Sequence, residues 1–478
     1  MKSRITQTHQ LVPARIIRTR FAQAMSNMYR FEVPLYGTLV DMVQQINQQE
    51  LNSRSELRHE LENTDSIQRL SDERHGAIRL GKADELLNMR RLFAVMGMFP
   101  VSYYDLTEAG IPVHSTAFRP LQQDELNANP FRVFTSLLRL DLIADKALRA
   151  RASELLDQRN IFTAGVLELI EKFEQQQGLF SNQVDRFIAE ALETFRWHHH
   201  ATVDLETYQS FLNSHRLIAD IVCFRGPHIN HLTPRTLNID EAQQQMVSNG
   251  MQPKAVIEGP PVRQCPILLR QTSFRALDEE ILFKARQGEA QQGSHTARFG
   301  EIEQRGMALT PKGRKLYDQL LDEVRTAIPD AVSHAQAYQD LLHKTFQQFP
   351  DNLEQIRQQG LGYFNFQINI RNQGASFTDL NSLISQHIIQ AYPITYEDFL
   401  PVSAAGIFKS NLDERETQTF SASPNQQSFE KDLGCAVINE FEYYAEIQQQ
   451  SLKNCLQQLG IKQAEQETFL QQLNLAAG

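Results

Sequence analysis

The chain has 478 residues, 41% of them hydrophobic and 22% charged, a composition that supports a large buried core and excludes a disordered protein. Its length corresponds to roughly three average domains or one large elaborated unit. The 47 Lys and Arg against 57 Asp and Glu give a formal net charge of −10. This balance argues against nucleic-acid binding, which needs a basic surface, but it allows a small basic pocket for an anionic metabolite.

Cysteine usage and the apolar segments predict a cytoplasmic protein without a membrane span. The four cysteines lie far apart along the chain: Cys223, Cys265, Cys435 and Cys455. None forms a C-x-x-C pair, so zinc-ribbon and thioredoxin-like sites have no support, and sparse cysteine suits a reducing compartment. The apolar stretch from Leu92 to Val101 is too short to span a bilayer, and no secretory signal precedes it. Basic residues precede Glu32, the first acidic residue, as in a transit peptide, but we expect an ordinary solvated arm.

Predicted helices and strands are mixed along the chain without strict alternation. In chain order they are a strand at Gly76 to Leu80, helices at Ala83 to Met98, Asp145 to Gln176 and Asn182 to Phe195, strands at Ile221 to Leu237, Ile267 to Phe274 and Ala297 to Met307, a helix at Pro311 to Ala327, a strand at Tyr363 to Gln367 and helices within Ser428 to Ala477. Thr310 and Pro311 form a helix start, with Thr as N-cap and Pro as the first helical residue. The pattern favours an α+β fold, and the absence of a glycine-rich phosphate-binding sequence argues against a nucleotide site.

We predict a single elaborated unit over residues 1–478. Its core strands are expected at about residues 71–120, 221–310 and 360–410. Helical elaborations are expected at about 145–220 and 311–350, with a C-terminal helical region at 427–478.

The first segment with metal-ligand chemistry is R-H-G-A-I-R at residues 74–79. In a strand, His75 and Arg79 point to the same face because side chains alternate with a period of two. An imidazole beside a guanidinium suits a site that binds a metal and an anion together. The alternative is a solvated turn that leads into the helix at Ala83.

The second segment is G-P-H-I-N-H-L-T-P at residues 226–234. His228 and His231 face opposite ways in a strand, so at most one of them belongs to a given site. Pro227 and Pro234 indicate a sheet edge or a strand end. One histidine in a site and one core histidine are equally compatible with this pattern.

The third segment is R-F-G-E-I-E-Q-R-G at residues 298–306. Glu301 and Glu303 share one strand face, and two buried carboxylates on one face need a cation. A bound metal would supply it, as would Arg298 and Arg305, and exposure to water would remove the need. Two histidines and one carboxylate on separate strands form the facial arrangement typical of non-heme Fe(II) sites.

Two other segments contain reactive side chains but provide weaker evidence for a functional site. The run Trp197-His198-His199-His200 places three adjacent imidazoles, which diverge in any regular structure. A helix end or surface loop is expected there, and a pocket-lining role for one of the histidines is the lesser alternative. Ser403 lies in P-V-S-A-A-G at residues 401–406 without the G-x-S-x-G turn of a hydrolase. This small-residue turn is read as a tight loop, although its backbone N–H groups could bind a carboxylate.

Taken together, these segments resemble the 2-oxoadipate dioxygenase/decarboxylase family, also called hydroxyglutarate synthase, of the vicinal oxygen chelate superfamily. The resemblance runs through H-G-A-I-R, G-P-H-I-N-H-L-T-P-R, F-G-E-I-E-Q-R-G and P-V-S, over roughly residues 70 to 410. E-I-E-Q-R at 301–305 also resembles the strand that carries the metal-binding glutamate of 4-hydroxyphenylpyruvate dioxygenase, which selects Glu301 as the ligand and Glu303 as a neighbour. The three metal segments are specific together, whereas each alone is weak.

The resemblance implies a curved mixed β-sheet around a metal site, with extensive helical elaborations. It implies that His75, His231 and Glu301 hold Fe(II), although Zn or another divalent metal could occupy a purified sample. No catalytic side chain beyond these ligands is implied.

The implied reaction uses O2 to decarboxylate and hydroxylate a 2-oxo dicarboxylic acid in lysine catabolism. 2-Oxoadipate is the expected substrate, and 2-hydroxyglutarate and CO2 are the products. Arg79, Val402 and Ser403 would bind the substrate, since a dicarboxylate needs a cationic partner and guanidinium–carboxylate contacts are strong and directional. The expected partners are therefore the 2-oxo acid and O2, with no nucleic acid and no membrane; the sequence leaves the oligomeric state open.

Two alternatives keep the same residues. His-His-Glu also suits Zn²⁺, with metal-bound water hydrolysing or isomerising a small substrate. A non-catalytic metabolite-binding protein would use the same pocket as a sensor. Oxygen-dependent activity with added Fe(II) would distinguish these hypotheses.

Overall fold

A computed structural model describes residues 10–64, 67–72, 74–285, 289–369, 379–400 and 425–477. Helices dominate these ranges, and strands form one five-stranded sheet and several two-stranded ones. The predicted α+β class is confirmed. The division into a single unit stays a prediction. In the part of the chain described, no helix is long and apolar enough to cross a membrane.

The helices are α1 (Ala14–Glu32), α2 (Pro34–Ser53), α3 (Ser55–Thr64), α4 (Ile67–Asp72), α5 (Ala83–Val95), α6 (Gln123–Ala128), α7 (Lys146–Asp157), α8 (Ala164–Gln176), α9 (Ser181–Leu192), α10 (Leu205–Ser214), α11 (Arg216–Val222), α12 (Ile239–Ser248), α13 (Pro311–Ala327), α14 (Ala335–Thr345), α15 (Leu353–Gln358), α16 (Leu380–Ser385), α17 (Gln426–Leu433), α18 (Glu440–Gln458) and α19 (Gln463–Ala477). The strands are β1 (Leu11–Val12), β2 (Arg74–Leu80), β3 (Phe99–Asp105), β4 (Val113–Arg119), β5 (Arg132–Leu138), β6 (Leu179–Phe180), β7 (Leu232–Pro234), β8 (Leu269–Ser273), β9 (Asp278–Phe283), β10 (Gln291–Thr296), β11 (Glu301–Arg305), β12 (Phe364–Ile368) and β13 (Ile389–Pro393).

The five-stranded sheet has the order β3-β4-β5-β2-β7 and is mixed, because β2 pairs in parallel with β5 and antiparallel with β7. Side chains of β2 alternate between two cores. Ile78 and Leu80 pack in the core that contains α1, α2 and α5. Ala77 packs on the opposite face, in the core that contains α10 and α11. His75 and Arg79 share that second face with Ala77, as the period of two predicts.

The strand predicted at Ile221 to Leu237 is wrong over most of its length. Its first residues belong to α11, whose N-terminus is capped by the His215 ring, which accepts the N–H of Leu217 at 3.1 Å. Of the remainder, β7 alone is a strand within the described residues, pairing with β2 from Gly76 to Arg74. The backbone between them is irregular because Pro227 lacks an N–H and Gly226 precedes it.

The predicted strands around β8 and β11 are confirmed, and the two form an antiparallel pair in which Glu301 lies opposite Ser273. This pair is not part of the five-stranded sheet. A parallel bridge between Arg235 and Glu303, with Thr236 N–H donating to the Glu303 carbonyl at 2.7 Å, sets β11 beside the end of β7. The metal-site segments therefore lie on β2, immediately before β7 and on β11, and this bridge connects the β8–β11 pair to the five-stranded sheet.

Residues 14–32 of the N-terminal arm predicted to be solvated form instead the helix α1, one face of which is buried, and residues 1–9 of the arm lie outside the described residues. Ile17, Phe21 and Met25 recur every four residues and are at most 1% exposed, so they form one apolar helix face. Arg18 is fully buried, and its guanidinium donates to the carbonyl oxygens of Met96 and Asn129 at 2.8 and 2.9 Å. Basic composition concealed this helix because the charge of Arg18 is satisfied inside the core.

The sequence predicted the N-termini of helices more accurately than the strands. The predicted Thr310 cap is confirmed: its hydroxyl accepts the N–H of Gly313 at 3.1 Å. The predicted helix from Asp145 to Gln176 is instead two helices, α7 and α8. Each has its own N-cap, Asp145 and Thr163, and the second cap sets where the chain re-enters a helix.

Candidate metal centre

His75, His231 and Glu301 come together in one buried group. One ligand atom from each lies within 4.8 Å of the others, and the residues are 1%, 5% and 1% exposed. His75 comes from β2, His231 immediately precedes β7, and Glu301 is the first residue of β11. Three segments far apart in sequence thus supply two imidazoles and one carboxylate, the set that the sequence patterns indicated.

Gly76 allows the His231 segment to approach β2. A Cβ atom at this position would lie 2.6 Å from Cδ1 of Ile229 and 2.9 Å from the carbonyl oxygen of His231. Real side chains do not tolerate such contacts. The glycine of H-G-A-I-R therefore has a packing role that brings the two histidines together.

Glu301 and Glu303 share one strand face but have different partners. Oε1 of Glu301 lies 3.3 Å from Nε2 of His75, and Oε2 lies 3.7 Å from Nε2 of His231. Oε2 of Glu303 lies 2.9 Å from the other ring nitrogen of His75, Nδ1. Glu301 therefore faces both imidazoles, whereas Glu303 lies behind one of them.

The carboxylate of Glu303 is held by guanidinium groups. Arg305 donates to both of its oxygens at 2.9 Å, and Arg132 lies 3.7 Å away. Burial alone would raise the pKa of Glu303, but Arg305, His75 and Arg132 outweigh it and hold the pKa at about 2. Glu303 is therefore a permanent anion that can orient His75, as carboxylates behind metal-binding histidines do.

Glu301 has no guanidinium of this kind among its described contacts. The side-chain amide of Gln271 donates to its Oε1 at 2.6 Å. Burial raises the pKa of Glu301, an effect that His75 opposes and Glu303 strengthens. A buried carboxylate in this state gains from a nearby cation.

The two histidines are in different electrostatic states. Burial lowers the pKa of His75, but Glu303 and Glu301 outweigh burial, so the net shift is upward. Burial, with the charges of His75 and Arg79, lowers the pKa of His231 well below its usual range. The surroundings of the two imidazoles therefore shift their pKa values in opposite directions.

Two aromatic rings position the imidazoles. Phe399 contacts His75 edge-on with centroids 4.9 Å apart, and Phe299 stacks on His231 with centroids 4.7 Å apart. Sequence reasoning missed both rings, as it missed Gln271. Phe299 lies inside the quoted F-G-E-I-E-Q-R-G segment, where its proximity to Glu301 was the available signal.

Arg79 is buried on the same face of β2 as His75. Its Nη1 donates to Oδ2 of Asp220 at 2.6 Å and to Oδ1 of Asn230 at 2.8 Å. The sequence analysis did not identify Asp220, which lies on α11. Val402 and Ser403, the other predicted substrate-binding residues, lie outside the described residues, so their role stays a prediction.

The remaining candidates lie away from the metal group. His228 is 3.5 Å from Asp220, so of the two neighbouring histidines only His231 joins the group, as predicted. Arg298 does not balance Glu301 or Glu303; it pairs with Glu279 and Glu32 and lies 4.4 Å over the Trp197 ring.

The residues present fit a divalent metal. Two neutral imidazoles and one carboxylate leave a net charge of about +1 with a divalent ion, which suits an anionic substrate. His-His-carboxylate sets also leave coordination positions open. The donor set itself does not distinguish Fe(II) from Zn²⁺.

Comparisons with known proteins relate most of the chain to one family. The family model for 2-oxoadipate dioxygenase/decarboxylase matches residues 21–411. A 2-oxoadipate dioxygenase/decarboxylase of Escherichia coli (strain K12) is 54% identical over 445 residues, covering 92% of this chain and 97% of the relative. The relative from Pseudomonas putida is 53% identical over 452 residues, covering 93% and 97%. The crystal structure of the hydroxyglutarate synthase from Pseudomonas putida in complex with 2-oxoadipate is similar with a TM-score of 0.87 and 50% identity, covering 94% of this chain and 99% of that one.

The match covers most of the chain and includes all three segments that supply the metal group. The resemblance inferred from the sequence is confirmed, and the chain belongs to the 2-oxoadipate dioxygenase/decarboxylase family.

Proposed function

We propose that the protein is an Fe(II)-dependent dioxygenase that decarboxylates and hydroxylates 2-oxoadipate, giving 2-hydroxyglutarate and CO2. The observation that carries the proposal is the buried His75–His231–Glu301 group in a chain of this family. These three residues would hold the iron. The bound iron would supply chelation of the 2-oxo acid and activation of O2.

The residues around the metal group orient its ligands and exclude water from the site. The Glu303 carboxylate lies 2.9 Å from Nδ1 of His75 and is proposed to orient this ring so that Nε2 faces the metal position. Phe299 and Phe399 cover the imidazoles with apolar surface. Low exposure of all three ligands keeps bulk water away from the reacting 2-oxo acid.

Arg79 is proposed to bind the distal carboxylate of the substrate. It is a buried guanidinium four residues along the strand from His75, and its charge is close enough to lower the pKa of His231. We expect Arg79→Ala to reduce turnover severely while iron stays bound. If the variant lost its metal instead, Arg79 would have a structural role and this assignment would be wrong.

The reaction is tested by oxygen consumption. Metal-stripped protein is reloaded with Fe(II) and supplied with 2-oxoadipate and with shorter and longer 2-oxo acids, and products are followed by mass spectrometry. We expect oxygen uptake and CO2 release in equal amounts, both lost in His231→Ala. Uptake with a different 2-oxo acid only would replace the substrate. Stoichiometric iron binding without uptake would favour the Zn²⁺ enzyme or the metabolite-binding protein.

A further inference from the structure

A chain of buried polar side chains connects Arg79 through Asp220 and His295 to Tyr208. Asp220 on α11 uses both of its oxygens: Oδ2 accepts from Nη1 of Arg79 at 2.6 Å, and Oδ1 lies 2.9 Å from Nε2 of His295. Nδ1 of His295 lies 2.9 Å from the hydroxyl of Tyr208. Arg79, Asp220, His295 and Tyr208 come from β2, α11, β10 and α10, so no two of them are on the same element.

All four residues are buried. Arg79 and His295 are 3% exposed, Tyr208 is 4% exposed and Asp220 is 7% exposed. Burial opposes ionisation of Asp220, but Arg79, His228 and His295 outweigh it and hold the pKa below its usual range. Asp220 is therefore an anion whose charge is matched by the guanidinium of Arg79.

The hydrogen-bond directions form one consistent chain. With a proton on Nε2 of His295, that nitrogen donates to Asp220, and Nδ1 accepts from the Tyr208 hydroxyl. The carboxylate then accepts from Arg79. Asn230 accepts from the same guanidinium nitrogen at 2.8 Å, and its own amide donates to the Ala77 carbonyl on β2 at 3.1 Å. The guanidinium is thus anchored at one corner, Nη1, from two directions.

We infer that Asp220, supported by His295 and Tyr208, is a positioning residue that sets Arg79 for the second carboxylate of the substrate. The inference rests on the proposed function. A long arginine side chain has many rotamers, and binding a carboxylate in one of them costs entropy unless the rotamer is held in advance. The chain therefore determines preference for dicarboxylic over monocarboxylic 2-oxo acids, and it does not act on the reacting carbon.

The test compares 2-oxoadipate with 2-oxohexanoate, which has the same chain length but lacks the second carboxylate. For Asp220→Asn we expect the KM and the anaerobic Kd for 2-oxoadipate to rise about ten- to hundredfold, the scale of one hydrogen bond to a charged group. We expect a much smaller change in kcat, an unchanged iron content and unchanged constants for 2-oxohexanoate. A merely structural role would move the constants for both acids together.

Milder variants keep the test decisive if Asp220→Asn folds poorly. Tyr208→Phe removes one hydroxyl at the far end of the chain and should shift the 2-oxoadipate constants in the same direction by less. Asp220→Glu should restore part of the preference because it keeps the charge. Asp141→Asn is the matched control. Asp141 also pairs with an arginine, Arg139, at 2.7 Å, but the Asp141 side chain is 60% exposed. This substitution should leave the constants for both acids unchanged.

The outcomes separate this inference from the proposed function. If the wild-type protein turns over neither acid, the proposed function fails. If the wild type is active and Asp220→Asn and Tyr208→Phe leave its preference between the two acids unchanged, the positioning role is wrong. Tighter binding of 2-oxoadipate by Asp220→Asn would also overturn it, because Asp220 would then compete with the substrate for Arg79.

Discussion

The Glu303→Gln substitution tests whether the second carboxylate of β11 supports the metal group or belongs to it. Glutamine has nearly the same shape but no charge. In the wild type this carboxylate is fully buried, accepts from Arg305 at 2.9 Å through each oxygen, and lies 2.9 Å from Nδ1 of His75. The substitution therefore leaves two buried guanidinium groups, Arg305 and Arg132, without this anion.

The contacts set the expected magnitudes. Removing one partner of a buried ion pair costs about 3–5 kcal/mol of folding stability. Loss of the group that orients a metal-binding histidine lowers metal affinity about 10- to 100-fold. Glu301→Gln should give the opposite pattern. It removes a proposed ligand and should abolish tight metal binding, yet it should cost little stability in the metal-free protein, because burial already holds the pKa of Glu301 above its usual range.

Both quantities are measured on metal-stripped protein. Urea unfolding midpoints report stability, and competition against a chromophoric chelator under anaerobic conditions reports Fe(II) and Zn²⁺ affinity. Glu280→Gln is the matched control, since this glutamate is exposed on β9 and should change neither quantity. If Glu303→Gln abolished metal binding at unchanged stability, Glu303 would be a ligand and the assignment of roles on β11 would be reversed.

Three further predictions concern stability away from the metal group. Burial, aided by Arg139, lowers the pKa of His114 to about 4. Because this histidine takes up its proton near pH 6.5 in the unfolded chain, folding stability should fall by up to about 3 kcal/mol as the pH drops from 6.5 to 4. His114→Gln should make the urea midpoint less dependent on pH over this range, and an unchanged pH dependence would contradict the role of His114. Gly259 has φ +106°, and a Cβ atom at this position would lie 2.2 Å from the Leu269 carbonyl oxygen. Gly259→Ala should therefore lower folding stability by at least about 2 kcal/mol. If the variant melted at the wild-type temperature, the predicted clash would be refuted. Asp398→Asn leaves the fully buried Arg119 without its bidentate carboxylate partner. The free energy of unfolding in urea should fall by about 3–5 kcal/mol. A decrease below about 1 kcal/mol would show that this ion pair does not stabilise the fold.

The local patterns of the sequence located the three segments that contain the candidate metal group. His75 and Arg79 share a strand face because side chains alternate, and this depends on no distant contact. The resemblance then selected His231 over His228 and Glu301 over Glu303. The start of α13 at Thr310 was equally readable, because an N-cap acts on its own backbone within three residues.

Other features depended on contacts between distant parts of the chain. The sequence analysis did not identify β5 (Arg132–Leu138), although it lies in the sheet between β4 and β2. It is buried on both faces, so it lacks the alternation that marks a half-exposed strand. The buried position of α1 was missed for a related reason: the carbonyls that satisfy Arg18 come from residues 78 and 111 positions away.

The amino-acid sequence by itself determined which side chains are available at the metal group and which of them share a strand face. Tertiary structure alone decided what each one does. Glu301 and Glu303 are equivalent by alternation, and they differ because Arg132 of β5 and Arg305 lie behind only one of them. The position of the Arg79 guanidinium likewise depends on its hydrogen bond to Asp220, which lies 141 residues away in the sequence. The charge state and orientation of a buried group depend on the charges around it in space, and these come from segments that no local pattern connects.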